Sequence, residues 1–275
     1  MKSHTVYRRV HDRAADALRP VSISLGAMKF AEGSAQIDLG DTRVLVAASV
    51  EPRVPPFLKD SGTGWLTAEY AMLPRSTHTR SPREVAKGRP SGRSTEIQRL
   101  IGRSLRAVVD LSALPERTVV VDCDVLQADG GTRTAAITAA YVAVAEALGK
   151  LFLTGDLERW PIRTELAAIS AGIVRDVPLL DLEFCEDQEA QVDMNVVGTA
   201  DGALVEVQGT GEKRSFSRSE MDRIVDLAFK GIEELTRVQR QVLAALLQEV
   251  DAVRAKGPRK VARPKDERQL WGAPE

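Results

Sequence analysis

The stretch that most constrains the fold is residues 119–140. There a β-branched run, Val119-Val120-Val121-Asp122-Cys123-Asp124-Val125-Leu126-Gln127-Ala128, meets the Ala-rich run Thr134 to Ala140 across Asp129-Gly130-Gly131-Thr132-Arg133. The first run reads as a buried strand, and the second, unbroken to Leu148, as a helix. Two glycines at the junction let the backbone turn sharply and approach a ligand closely. The helix then aims its unsatisfied N–H groups and a partial positive charge at the same point. Arg133 brings a fork of donors suited to phosphate. Two readings fit this junction, an anion site or a tight turn with Arg133 in water, and Gly-Gly alone favours the second.

With 275 residues, 43% hydrophobic and 28% charged, the chain has material for a core in one large domain or two small ones. Residues 1–10 are polar and basic, and Glu146 interrupts the most apolar helix, so no secretory segment or membrane span is expected and the cytoplasm is the expected compartment. Cys123 and Cys185 read as core thiols, too far apart in sequence for a thiolate metal site. The formal net charge of -1 hides a local excess: residues 74–93 carry Arg75, Arg80, Arg83, Lys87, Arg89 and Arg93 against Glu84 alone. Gly, Pro and Ser break any periodicity there. A basic loop of this kind suits an anionic polymer or a charged subunit interface.

Strands are predicted at residues 21–25, in a hairpin over 35–49 around Gly40-Asp41, and at 65–73. Thr95 and Gln98 match a capping box opening a helix to about Asp110, with Ile97, Leu100, Ile101, Leu105 and Val108 on one face and Arg99, Arg103 and Arg106 on the other. Further strands are expected at 166–174, 179–184, 191–199 and 203–207, then a helix capped by Ser217 and Glu220 that runs to about Leu247. Ala35-Gln36-Ile37-Asp38 and Ala190-Gln191-Val192-Asp193 each open a hairpin and hint at a duplicated unit. Three segments result: an extension at 1–12, a single domain at 13–250, and a basic tail from Asp251 with Trp271 as a possible sticker.

Seven runs stand out: Gly64-Trp65-Leu66-Thr67-Ala68-Glu69-Tyr70, Met72-Leu73-Pro74-Arg75, Glu96 to Arg106, Asp122-Cys123-Asp124-Val125, Gln127 to Thr134, Asp193-Met194-Asn195-Val196-Val197 and Glu206-Val207-Gln208-Gly209-Thr210. Together they resemble the ribonuclease PH family of phosphorolytic exoribonucleases. The similarity spans roughly residues 13–247 in order. It implies an α+β fold, a two-layer βαβα-type domain with a ribosomal protein S5 domain 2-like core and mixed sheets packed against helices. It also implies a phosphate-dependent 3′–5′ exoribonuclease that trims transfer RNA precursors and other RNA 3′ ends, releases nucleoside diphosphates, runs the reverse polymerisation, and assembles as a homohexamer, a trimer of dimers.

By the same resemblance, Gly131, Thr132 and Arg133, with Arg93, hold inorganic phosphate as co-substrate. Asp187 and Asp193 are the catalytic acids and the Mg²⁺ ligands, and Arg75, Arg80, Arg83, Arg99 and Arg103 serve RNA binding or the ring interface. Phosphorolysis brings two anions together, so cations and helix-end donors are needed, and a carboxylic acid can protonate the departing 3′ oxygen. On one straight strand the two acids would lie roughly 20 Å apart at about 3.3 Å per residue, too far to cooperate. The chain is therefore expected to bend, with Asp187 in a hairpin turn and Asp193 early in the returning strand.

The chain departs from the family pattern at Arg9-Val10-His11-Asp12-Arg13, where Arg-x-Asp-Gly-Arg is usual, at Gly198, and at Lys213-Arg214. His4, His11 and His78 lie outside the matched motifs, which leaves a histidine-based hydrolysis without support. A non-catalytic RNA-binding ring subunit of an exosome-like complex would lack the phosphate and acidic residues present here. A nucleotide hydrolase would need a Gly-rich loop ending in Lys, which Asp129 to Thr134 does not have.

Overall fold

The computed structural model of the chain describes Arg8, Arg9 and residues 12–257. The valine run becomes β5 (Thr118–Gln127), the hub of a five-stranded sheet with β1 (Val21–Leu25), β2 (Gly33–Leu39), β3 (Thr42–Glu51) and β4 (Trp65–Met72) in the order β1-β2-β3-β5-β4. β5 pairs antiparallel with β3 and parallel with β4, so the sheet is mixed. The parallel pair requires a crossover, which α1 (Gly92–Val108) supplies. A second, antiparallel sheet of β6 (Leu166–Val174), β7 (Val177–Leu180), β8 (Val192–Thr199) and β9 (Leu204–Thr210) is ordered β7-β6-β8-β9. The remaining helices are α2 (Thr132–Thr154), α3 (Phe184–Glu189) and α4 (Arg218–Arg254).

α2 is the centre of the molecule. Ile37, Val46, Val121, Ile101 and Leu148 belong to one core around it, and Ile169, Val196, Ile224 and Leu235 belong to a second under α4. Gly33 lets β2 ride directly on the helix: a Cβ there would stand 2.0 Å from the Ala143 carbonyl oxygen. From α4, the buried Gln239 donates to the carbonyls of Thr138 and Leu166, each at 2.9 Å, tying α2 to the second sheet. α2 is long and apolar enough to cross a membrane by length and composition, yet most of it is buried inside the protein. The expected α+β class, sheets packed against helices, is what the chain adopts.

Several local expectations change. β5 is buried on one face only, because Asp122 and Asp124 alternate onto a partly open side. α1 begins at Gly92, with Ser91 accepting from the Ser94 amide, rather than at a box on Thr95. Ser91 and Ser94 compete better for the cap because Glu84 accepts from both of them, from the Ser91 amide and the Ser94 hydroxyl. α1 ends at Val108, and α2 passes Gly149 to a left-handed stop at Gly155, since Leu246 of α4 packs where a Gly149 side chain would stand. β7 ends at Leu180, and the segment expected to continue it coils into α3. α4 continues past Leu247 through Asp251 to Arg254, with Val250 buried in the first core, so the tail does not begin at Asp251. Cys185 is exposed rather than a core thiol. His4, Val10, His11 and Trp271 lie outside the described residues. Asp12, standing where the family has glycine, adopts φ +54°, left-handed backbone that Asp tolerates better than most residues, and pairs with Arg8.

Candidate active site

The glycine hinge is built as a pair of left-handed residues, Gly130 at φ +78° and Gly131 at φ +67°, and Gly131 is the N-cap of α2. A Cβ on Gly130 would meet the Leu182 carbonyl oxygen at 2.6 Å, so side chains are excluded there by contact as well as by conformation. No side chain caps the helix, so its first-turn amides are left without a capping partner, and Gly131, Thr132 and Arg133 line the cleft. Thr42 pins the turn by accepting from the Asp129 amide at 2.9 Å and donating to the Gly130 carbonyl at 2.6 Å. Buried Tyr70 on β4 donates to the Thr132 hydroxyl at 2.9 Å, which frees the Thr132 proton for another acceptor.

A cleft of about 440 Å³ opens in front of this turn and is lined by Arg93, Gly131, Thr132, Arg133, Asp187 and Asp193. That size lies in the range of roughly 300–1,000 Å³ typical of small-molecule sites. It continues into a more polar hollow that shares Arg93, Arg133, Asp187, Asp193 and Asn195. Arg133 is steadied by the Gln208 side chain at 3.2 Å and by Glu96 at 3.6 Å. The exposed Arg93 comes from the first turn of α1 and lines the same cleft.

The two acids reach the cleft from different elements. Asp187 lies on α3, not in a hairpin turn; β7 and β8 are not partners, because β6 runs between them, so the connection must cross the sheet end and coils as it does so. Asp193 is the second residue of β8. Burial raises the Asp187 carboxyl above its usual range while Arg93 and Arg133 pull it down. Burial first, then the neighbouring Asp187, pushes Asp193 up to about 6 against the pull of Arg133. A carboxyl tuned in this way can carry a proton near neutrality.

The basic residues divide. Arg75, Arg80, Arg83 and Arg99 are exposed and, among the described residues, carry no ion pair within the chain. Arg103 instead grips Glu206 of β9 with two bonds of 2.6 and 2.7 Å, and Arg106 lies over the Trp65 ring at 4.6 Å. The helix face that reads as a solvated arginine stripe is thus partly engaged at home, because β9 and Trp65 fold against it.

Models of the 3′ exoribonuclease family match the chain twice, domain 1 over residues 17–148 and domain 2 over residues 165–231. A ribonuclease PH from Moorella thermoacetica is 57% identical over 242 residues, which cover 88% of this chain and 97% of that protein. The chain belongs to the ribonuclease PH family. It is a phosphorolytic 3′–5′ exoribonuclease. Among solved structures, an Archaeoglobus fulgidus exosome with RNA bound to the active site is similar at TM-score 0.71 and 25% identity, over 84% of this chain and 92% of that one. Rice (Oryza sativa) Rrp46 shares the fold at TM-score 0.70 and 20% identity, over 86% and 100%. These neighbours agree with the ribosomal protein S5 domain 2-like core.

Sequence reasoning missed Thr42 and Tyr70 as supports of the turn, and missed that Ser170 and His78 line the cleft, His78 with its ring 6.0 Å from that of Phe184. No spacing signal marks them, since each arrives from a distant element.

The raised Asp193 has a measurable consequence. Its folded pKa lies above the ordinary aspartate value of about 3.9, so its contribution to stability is full below that value and is lost as pH rises through about 6. Thermal melts from pH 4 to 8 are expected to show Asp193→Asn gaining on the native chain across this window, by on the order of 2–3 kcal/mol at the top. Parallel melting curves at every pH would remove the assignment.

Proposed function

We propose that this cleft performs phosphorolysis on the 3′ ends of transfer RNA precursors and other RNAs. The observation that carries the reading is the meeting, in one cleft, of an uncapped helix start with Arg133 and two carboxyls, the half-buried Asp193 and the more exposed Asp187. Inorganic phosphate rests on the amides of Gly131, Thr132 and Arg133, with Arg93 in the same cleft. One of its oxygens attacks the terminal phosphodiester phosphorus, the bond from phosphorus to the 3′ oxygen breaks, and Asp193 delivers a proton to that oxygen. A nucleoside diphosphate leaves, and reversal of the same steps extends RNA. Burial first, and then charge repulsion from Asp187, keep Asp193 protonated.

The donor set also suits Mg²⁺. Asp187, and Asp193 once it has given up its proton, offer hard oxygens, and Mg²⁺ is commonly held by one or two carboxylates with substrate phosphates completing its shell. When bound, the ion would neutralise charge on the reacting phosphates.

The exposed Arg75, Arg80, Arg83 and Arg99 supply the RNA path or ring contacts, with Arg103 contributing only if it leaves Glu206. The assembly we propose is a homohexamer of three dimers in the cytoplasm, each chain contributing one domain that closes with α4 at Arg254. In the deciding experiment the pure protein is given a 3′-extended transfer RNA with and without phosphate, and its mass is read by light scattering. Nucleoside diphosphates formed only with phosphate, by a particle of six chains, are the expected result. Monophosphates released equally without phosphate would overturn the chemistry, and a fully active monomer the ring.

A further inference from the structure

Behind the cleft lies a buried charge network that the proposed chemistry does not use. Arg9, only 2% exposed in its side chain, meets fully buried Glu186 through two bonds of 2.7 Å and donates to the Asp181 carbonyl at 2.9 Å. Arg13 reaches Asp181 and Glu186 at 3.2 Å each. Arg19 grips fully buried Asp181 through its backbone amide, Nε and a terminal nitrogen at 2.7–3.0 Å, and also donates to the carbonyls of Asp129 and Gly130.

The placement of these bonds matters more than their number. Glu186 is the α3 residue immediately before Asp187, and Asp129 and Gly130 form the phosphate turn. Asp181 joins the two groups, and its own amide donates to the carbonyl of Ser170, which lines the cleft. For packing alone, apolar side chains of similar size serve at least as well as buried ion pairs. Directional, bidentate bonds instead fix angles and separations.

We infer that Arg9, Arg13 and Arg19, with Asp181 and Glu186, form a rigid cage that sets the position of the acid-bearing helix relative to the phosphate turn. Arg9 is a positioning residue for Asp187, and Arg19 one for the Gly130-Gly131 turn. This gives a role to the N-terminal arginines of the altered family segment, and it rests on the proposed assignment of phosphate to the turn and acid chemistry to Asp187 and Asp193.

The test is a separation of kinetic constants at saturating RNA. Arg9→Lys and Glu186→Gln should lower kcat by about 10–100-fold with the KM for phosphate within about twofold, because the acid and not the phosphate is displaced. Arg19→Lys should raise the KM for phosphate by about tenfold with the smaller effect on kcat. A double variant, Arg9→Met with Glu186→Leu, removes the pair without leaving a lone buried charge; it should lose less Tm than either of its single substitutions, which strand one charge, while kcat stays low. The inference is overturned if kcat and KM move together in proportion to lost Tm, or if the double variant regains native kcat. Asp187→Asn and Arg133→Ala serve as references. Should those two behave as native, the assignment of the site fails; should they act while the cage variants show no separation, only the cage fails.

Discussion

Asp193→Asn is expected to reduce turnover by about 10²–10⁴-fold while RNA affinity changes little, because the lost group acts on the departing oxygen and not on the bound strand. The carboxyl is held by β8 in a half-buried position where its proton is retained to about pH 6, and the amide cannot give up a proton. Single-turnover rates, with RNA binding measured separately by fluorescence anisotropy, read the two effects apart. Normal turnover in this variant would refute the acid role. Since the same substitution removes a buried carboxylate, the variant should be both slower and more stable, a combination that a misfolded protein does not show.

Arg133→Ala is expected to raise the KM for phosphate much more than it weakens RNA binding. A hydrogen bond to a charged group is worth about 1.5–3 kcal/mol, or roughly 10–150-fold in KM. Arg133 is already oriented by Gln208 and Glu96 before phosphate arrives, so little ordering is left to oppose the contact. Initial rates against phosphate concentration, with RNA affinity measured in parallel, check this; equal loss of both affinities would assign Arg133 to the RNA instead.

Much of the fold is legible where local chemistry is uniform. Residues 119–154 show strand, double glycine and helix in turn, and the hydrophobic face of α1 is readable because every third or fourth residue is apolar. Legibility fails where local preference competes with tertiary contacts. Gly149 looks like a helix end until Leu246 of α4 fills the space above it, and Leu182 to Phe184 looks like strand until the crossing from β7 to β8 forces a coil. At the site, the glycines and Arg133 stand together in sequence, whereas Tyr70, Thr42 and Arg19 meet them only after folding. The buried arginine network is the extreme case, since Arg9 and Glu186 lie far apart in the chain and no periodicity joins them.

The enclosure of α2 also bears on how the protein is made. One side of this helix is covered by β2 and β3, which leave the ribosome before it; the other is covered by β6 and α4, which leave after. A nascent chain that has released only Thr154 therefore carries a helix rich in alanine and valine with half its circumference in water. Such surface attracts other chains and holdase chaperones until the second sheet closes over it. Cut in the loop ahead of β6, the first half of the protein is thus a sticky intermediate of synthesis, not a small phosphate-binding protein in its own right.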